Sequence, residues 1–252
     1  YINYDQVMIK NYINRINLSQ IYYKLRDLNI PKNNKKLNEL SKNGFCILDE
    51  SISIDIIRDF KNKYASYLDL NFVNKRKNIS TKDLEIIYKD LKLTEALTIV
   101  TQYLGDKVYC YDNSVLSLGN KLSKDGSWQP HHDSKGRRLK IYIWLDQKDL
   151  DTHPLFYLKS SNKKIIFWKN YQQTRYHNID TNSMDKIYGD LGKIIIFDTH
   201  GVHSNYKTSS TPRNVIELTF EASGYLNRIN DKLKKGIDEI KRLEAKEIKE
   251  FL

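Results

Sequence analysis

The chain has 252 residues, with 42 lysines and arginines against 31 aspartates and glutamates, giving a net charge of +11. Apolar residues make up 40% and aromatics 12%; this excludes an intrinsically disordered chain, and the length suits one hydrophobic core with extensions. The basic residues are scattered and no recognised nucleic-acid module accompanies them, so they read as a solvated surface and nucleic acid is not an expected partner.

From Tyr1 to about Leu28, apolar residues recur at helical intervals (Val7, Ile9, Ile13, Ile16, Ile21, Leu25), and Pro31 with the polar run Lys32 to Lys36 breaks the pattern. Residues 1–36 therefore form an N-terminal helical extension. A short helix over Leu37 to Asn43 closes at Gly44, and Phe45 to Leu48 is a compact apolar strand. Ser53 or Asp55 caps a helix with one stripe of Ile56, Ile57, Phe60 and Tyr64, and a third helical stretch runs from about Thr81 to Leu104.

Beyond Gly105 the period changes to two. Val108 with Cys110, and then Val115 to Leu118, are strand material. From Leu139 to Leu145 the alternation is clear, with Arg138, Lys140, Tyr142 and Trp144 on one face and Leu139, Ile141, Ile143 and Leu145 on the other. Further strands fall at Leu155–Leu158, Ile165–Trp168, Gly192–Asp198 and Asn214–Phe220. Short strands following helices predict an α+β protein whose sheet part is a sandwich or barrel, here residues 37–225. Residues 226–252 read as a charged surface helix with one stripe of Leu233, Ile237, Ile240, Leu243 and Ile248.

Cys46 and Cys110 are the only cysteines and lie far apart, which permits neither a disulfide framework nor a zinc-ribbon spacing. That usage fits a reducing compartment, and the expected location is cytoplasmic. No apolar run reaches membrane-spanning length and the first residues are too polar for a signal peptide. The sequence opens on Tyr1 rather than methionine, which leaves room for a removed leader.

The informative segment is Trp128-Gln129-Pro130-His131-His132-Asp133-Ser134. A His-x-Asp pair at a strand end puts an imidazole and a carboxylate on the same side of the backbone, where both reach one metal. A second segment, from Gly189 to His203, is a buried strand ending in a turn that offers a histidine. Two histidines and one carboxylate on one face of a metal leave three neighbouring positions free on Fe(II). Arg213 follows His203 by ten residues and opens the next strand; its fork of donors suits the far carboxylate of a chelating 2-oxo acid. His131 is preferred to His132 because it alone keeps the His-x-Asp spacing, and His203 to His200 because of its offset to Arg213. His132 then reads as a supporting or solvent-facing residue, His200 as a turn residue, and His153 and His177 as structural.

These residues resemble the phytanoyl-CoA dioxygenase family of Fe(II)/2-oxoglutarate oxygenases. The resemblance runs from about Leu40 to Ala222. It rests on Asn43 to Leu48, on Trp128-x-x-His131-x-Asp133, on Gly189-Asp190-Leu191 and Phe197-Asp198 before His203, and on Pro212-Arg213. Where that family often has a Gly-Ser-His turn, this chain has Lys159-Ser160-Ser161-Asn162. The resemblance implies a double-stranded β-helix (jelly-roll, cupin-like) holding Fe(II) on His131, Asp133 and His203. 2-Oxoglutarate and dioxygen would be co-substrates, Arg213 would pair the distal carboxylate, and succinate and carbon dioxide would be released as a small molecule is hydroxylated. Tyr142 is then a wall of the 2-oxoglutarate pocket and Asn205 a polar contact within it, with core packing or a surface role the alternative for each. In related halogenases a small residue replaces the carboxylate, so Asp133 favours hydroxylation. Arg137, Arg138, Lys140, Lys121 and Lys124 cluster around the His-x-Asp pair; most read as solvated loop residues, and the alternative is that they recognise an anionic substrate. The rival readings are a redox-inactive metal site on a similar barrel and a non-catalytic module that binds an anionic ligand.

Overall fold

A computed structural model describes residues 33–68, 75–105, 108–118, 128–133, 138–146, 153–163, 174–176, 179–205 and 212–222. The expected N-terminal helix before Leu28, the strand at Ile165–Trp168, the helix over 226–252, His177, Lys121, Lys124 and Arg137 lie outside these residues.

Helix α1 (Lys35–Asn43) starts where the Asn34 side chain accepts a hydrogen bond from the Leu37 amide, and stops at Gly44, whose φ of 90° is the left-handed conformation that ends helices. Strand β1 (Phe45–Ser51) follows, then α2 (Ile54–Lys63), which buries Ile57 and Phe60. After β2 (Lys75–Asn78), the expected single helical stretch is two helices, α3 (Thr81–Leu91) and α4 (Ala96–Leu104). Thr94 makes the break: its hydroxyl donates to the Leu91 carbonyl and accepts from the Ala96 amide, so it ends one helix and begins the next.

The remaining elements are β3 (Val108–Leu118), β4 (His131–His132), β5 (Arg138–Trp144), β6 (Leu155–Tyr157), β7 (Thr174–Arg175), β8 (Asp185–Ile187), β9 (Lys193–Asp198), β10 (His203–Ser204) and β11 (Arg213–Ala222). The two stretches expected around Val108 and Val115 are thus one strand. The polar residues between them look like a loop in sequence, yet Asp112, Asn113 and Ser114 are paired across to Thr219, Leu218 and Glu217.

Among the described residues the strands form two antiparallel sheets, one of six in the order β1-β9-β5-β11-β3-β2 and one of five in the order β7-β4-β10-β6-β8. The chain crosses between sheets at almost every step, β3, β5, β9 and β11 in the larger and β4, β6, β8 and β10 in the smaller. That alternation is a double-stranded β-helix, the jelly roll. One face of the larger sheet (Leu139, Ile141, Ile143, Leu145, Ile194, Ile196, Ile216, Leu218, Phe220) packs on the four helices. Its other face packs Tyr142, Trp144, Ile195, Phe197 and Val215 against Leu155, Tyr157 and Ile187 of the smaller sheet. The alternation read over residues 138–145 sorts residues correctly between these two interiors. Cys46 and Cys110 are buried and free. Among the described residues no helix is long and apolar enough to cross a membrane.

Tyr157 ties the helical layer to the inner face, because a Cβ on Gly44 would sit 2.3 Å from its hydroxyl oxygen. Gly44→Ala therefore meets both the left-handed backbone and this ring, and should lower unfolding free energy by at least about 1–3 kcal/mol in denaturant titration. An unchanged midpoint would contradict this packing.

Candidate metal centre

The site is built where the short strands β4 and β10 pair. Their register sets His203 directly opposite His131, with Tyr157 of β6 on the far side of His203. The two imidazole ring centres are 4.5 Å apart. Asp133 follows β4, its amide donating to the Thr199 carbonyl at 3.0 Å. Its Oδ1 lies 3.4 Å from His131 Nε2 and 3.6 Å from His203 Nε2. Among the described residues these three form the group whose ligand atoms lie within 4.8 Å of one another.

Backbone carbonyls set the tautomers. His131 Nδ1 lies 2.7 Å from the Gln129 carbonyl and His203 Nδ1 3.0 Å from the Gly201 carbonyl, in each case two residues earlier. A carbonyl only accepts, so each Nδ1 carries a proton and donates it, which leaves Nε2 as the ring atom that faces Asp133 Oδ1. All three side chains are largely shielded, His131 and His203 at 3% and Asp133 at 13% exposure. Burial alone would raise the Asp133 carboxyl, but the Lys140 ammonium 2.9 Å from Oδ2, with the two imidazoles, holds it well below the usual carboxylate range. Burial pushes the His203 imidazole down against the pull of Asp133, so it is neutral and able to ligate at pH 7.

The turn that delivers His203 is fastened at several points. Asp198 accepts from the Tyr103 hydroxyl at 2.7 Å and from the His200 amide at 2.9 Å. The Tyr157 hydroxyl donates to the Asp198 carbonyl at 2.7 Å, and the Val202 amide donates to Ser161 Oγ at 2.7 Å. Gly201 is required because a Cβ there would lie 1.8 Å from the Tyr157 hydroxyl oxygen. Ser161 belongs to the Lys159–Asn162 segment that departs from the family pattern, and here it holds this turn.

The neighbouring histidines take other roles. His132 points to the opposite side of β4, is fully buried rather than solvent-facing, and hydrogen-bonds the Tyr176 hydroxyl through Nδ1 at 3.1 Å. Burial and then His200, His203 and His131 push it down to about 3, which keeps it neutral. His200 lies in the turn, and His153 is buried.

Arg213 is fully buried. Its Nη2 donates to Asn205 Oδ1, which ties it to the residue two beyond His203, while Nε and Nη1 have no hydrogen-bond partner among the described residues. Its guanidinium carbon sits 5.4 Å from the Tyr142 ring centre and 5.6 Å from that of Trp144. Burial pushes it down to about 10, still charged at pH 7. Tyr142 meets Phe197 edge-on at 4.9 Å, and Phe197 meets His203 at 5.5 Å, so the aromatic wall runs continuously from the imidazole to the arginine. The structure thus brings Arg213, Tyr142 and Asn205 together.

The two described members of the cationic cluster are paired. Arg138 is bonded to Glu221, and Lys140 lies against Asp133 and Glu217. Sequence reasoning missed the carboxylate partners. The signal was a run of inward positions on β11, Glu217, Thr219 and Glu221, too polar for a merely structural interior.

No family model and no curated protein matches the sequence. Solved structures do match. The epimerase SnoN, in complex with Fe3+, alpha ketoglutarate and nogalamycin RO, has a TM-score of 0.58 at 12% identity over 82% of this chain and 92% of that one. HygX from Streptomyces hygroscopicus, with nickel and 2-oxoglutarate bound, has a TM-score of 0.56 at 12% identity over 77% and 88%. EctD from S. alaskensis, in its apoform, has a TM-score of 0.53 at 15% identity over 75% and 76%. At these identities the likeness shows a shared jelly-roll fold over most of each chain.

Gly201→Ala displaces either the His203 turn or Tyr157. Affinity for Co(II) in calorimetric titration should fall by about 10–100-fold while the far-ultraviolet dichroism is kept. Wild-type affinity would show that Tyr157 does not fix this turn.

Proposed function

We propose that this chain is an Fe(II)- and 2-oxoglutarate-dependent oxygenase that hydroxylates a small molecule. The observation that carries the reading is the Arg213 guanidinium, fully buried with Nε and Nη1 unpartnered among the described residues, at the end of an aromatic wall that begins at His203. A buried cation with open donors is costly unless a ligand completes it. It contacts two aromatic faces and Asn205, and Glu217 acts on it electrostatically without a hydrogen bond to it. A dicarboxylate whose other end chelates a metal fits that need.

The donor set fits Fe(II): two imidazole Nε2 atoms and one carboxylate oxygen on one side, with three neighbouring positions for ligands. Bound iron with 2-oxoglutarate and dioxygen would supply the oxidative decarboxylation that releases succinate and carbon dioxide and oxidises the substrate. The chain's own contributions are geometric and electrostatic. The Gln129 and Gly201 carbonyls fix the imidazole tautomers. Arg213 orients the co-substrate through parallel N–H bonds. Tyr142, Trp144 and Phe197 exclude water from that path. Solved proteins of like fold described with iron or nickel and 2-oxoglutarate support the reading. One of them is described as an epimerase, so the fold alone does not choose the outcome. Asp133 supports hydroxylation over halogenation. The partly exposed charges at the site are paired internally, so the anionic-substrate idea loses Arg138 and Lys140.

Anaerobic protein with Fe(II) and 2-oxoglutarate should show the metal-to-ligand absorption of a chelate, and admitting air should yield succinate. His131→Ala and Asp133→Ala should abolish the absorption; retained chelation in both would refute the ligand assignment. Arg213→Leu should weaken 2-oxoglutarate binding by about a hundredfold or more, as loss of one partner of a buried charged contact does, while Fe(II) binding is kept.

A further inference from the structure

The inner face of the larger sheet carries a row of alternating charges that starts at the proposed metal ligand and crosses four strands. Lys140 on β5 places Nζ 2.9 Å from Asp133 Oδ2 and 3.4 Å from Glu217 Oε2 on β11. Arg76 on β2 then bonds both Glu217 Oε1 and Asp112 of β3. The register produces the row: Lys140 stands opposite Thr219, Glu217 opposite Tyr142 and Ser114, and Asp112 opposite Thr219. Glu217 is 1% exposed and Lys140 14%, whereas Arg76 is 42% exposed, so the row starts in the interior at Asp133 and ends at the surface.

An ammonium beside a prospective metal ligand is electrostatically unfavourable for metal binding, since it repels the incoming dication. What it supplies is a choice between two oxygens. A carboxylate can ligate through one oxygen or both. Here Oδ1 is the atom that faces both imidazole Nε2 atoms, and Oδ2 is the atom engaged by Lys140. The distinction has a consequence for a six-position metal. With two imidazoles and one oxygen supplied by the chain, a six-position ion would keep three positions for co-substrates; a second carboxylate oxygen would take one of them.

We infer that Lys140 is a positioning residue that restricts Asp133 to a single ligating oxygen, with Glu217 and Arg76 holding its ammonium in place. The inference rests on the iron centre proposed above and adds how its open positions are kept open. It makes Lys140 part of the co-substrate apparatus through its contacts with Asp133 and Glu217.

The test titrates anaerobic wild type, Lys140→Met, Lys140→Arg and Glu217→Gln first with Fe(II) and then with 2-oxoglutarate, reading the chelate absorption and the melting temperature. Lys140→Met should bind Fe(II) at least as tightly as wild type, because a repulsive charge is gone, yet bind 2-oxoglutarate about tenfold or more weakly with a shifted band. Lys140→Arg, which keeps a cation against Oδ2, should recover most of the loss. Glu217→Gln should shift 2-oxoglutarate affinity in the same direction by a smaller factor, and it preserves side-chain volume should the methionine variant fold poorly. Unchanged 2-oxoglutarate affinity in both Lys140→Met and Glu217→Gln overturns the inference. So does joint loss of Fe(II) and 2-oxoglutarate binding at an unchanged melting temperature, since that marks general support of the site. Wild type that binds Fe(II) with no chelate absorption overturns the oxygenase reading itself.

Discussion

Two strands of only two residues each, β4 and β10, decide where the chemistry can sit, because their single shared register places His131 across from His203. Neighbouring strands are about 4.8 Å apart, close to the 4.5 Å between the two imidazole centres. Residues far apart in sequence thereby become neighbours at a distance one ion can bridge. A slip of one residue would put His132, which faces Tyr176, where His131 stands, and it would turn the metal-facing side chains away. The larger sheet, the fastened turn at Asp198 to Val202, and Tyr157 beneath it all hold that register.

The two faces of the larger sheet divide the work. Against the helices it is uniformly apolar, and this burial supplies most of the driving force for folding. Inside the barrel it is mixed, and every ionised group is costly there unless matched. Asp133, Lys140, Glu217 and Arg76 match one another; Arg138 and Glu221 match each other. Arg213 departs from this rule, with one bond to a neutral amide and two donor atoms left open. Among the described residues that imbalance is what supports the proposed carboxylate ligand.

Local pattern made part of this legible in the sequence. The His-x-Asp spacing and the alternation over residues 138–145 depend on period two alone, and both interiors of the larger sheet were sorted by it. The offset from His203 to Arg213 was readable because one turn and one strand start separate them. What depends on register between distant strands was hidden: nothing near Lys140 in sequence says that Glu217 lies beside it or that Arg76 lies beyond. The apolar stripe from Thr81 to Leu104 concealed a break made by one threonine hydroxyl. Polar residues at 112–114 disguised the middle of β3, because their partners lie on β11. The resemblance to the phytanoyl-CoA dioxygenase family gave the jelly-roll expectation that the topology bears out, while the site assignments rest on side-chain convergence.

The central claim is that His131, Asp133 and His203 share one ion. The most direct measurement is anomalous diffraction at the iron edge from crystals grown anaerobically with Fe(II). The account predicts a single peak in ligating contact with His131 Nε2, His203 Nε2 and one oxygen of Asp133. A peak between His132 and His200, or none within reach of Asp133, would contradict it.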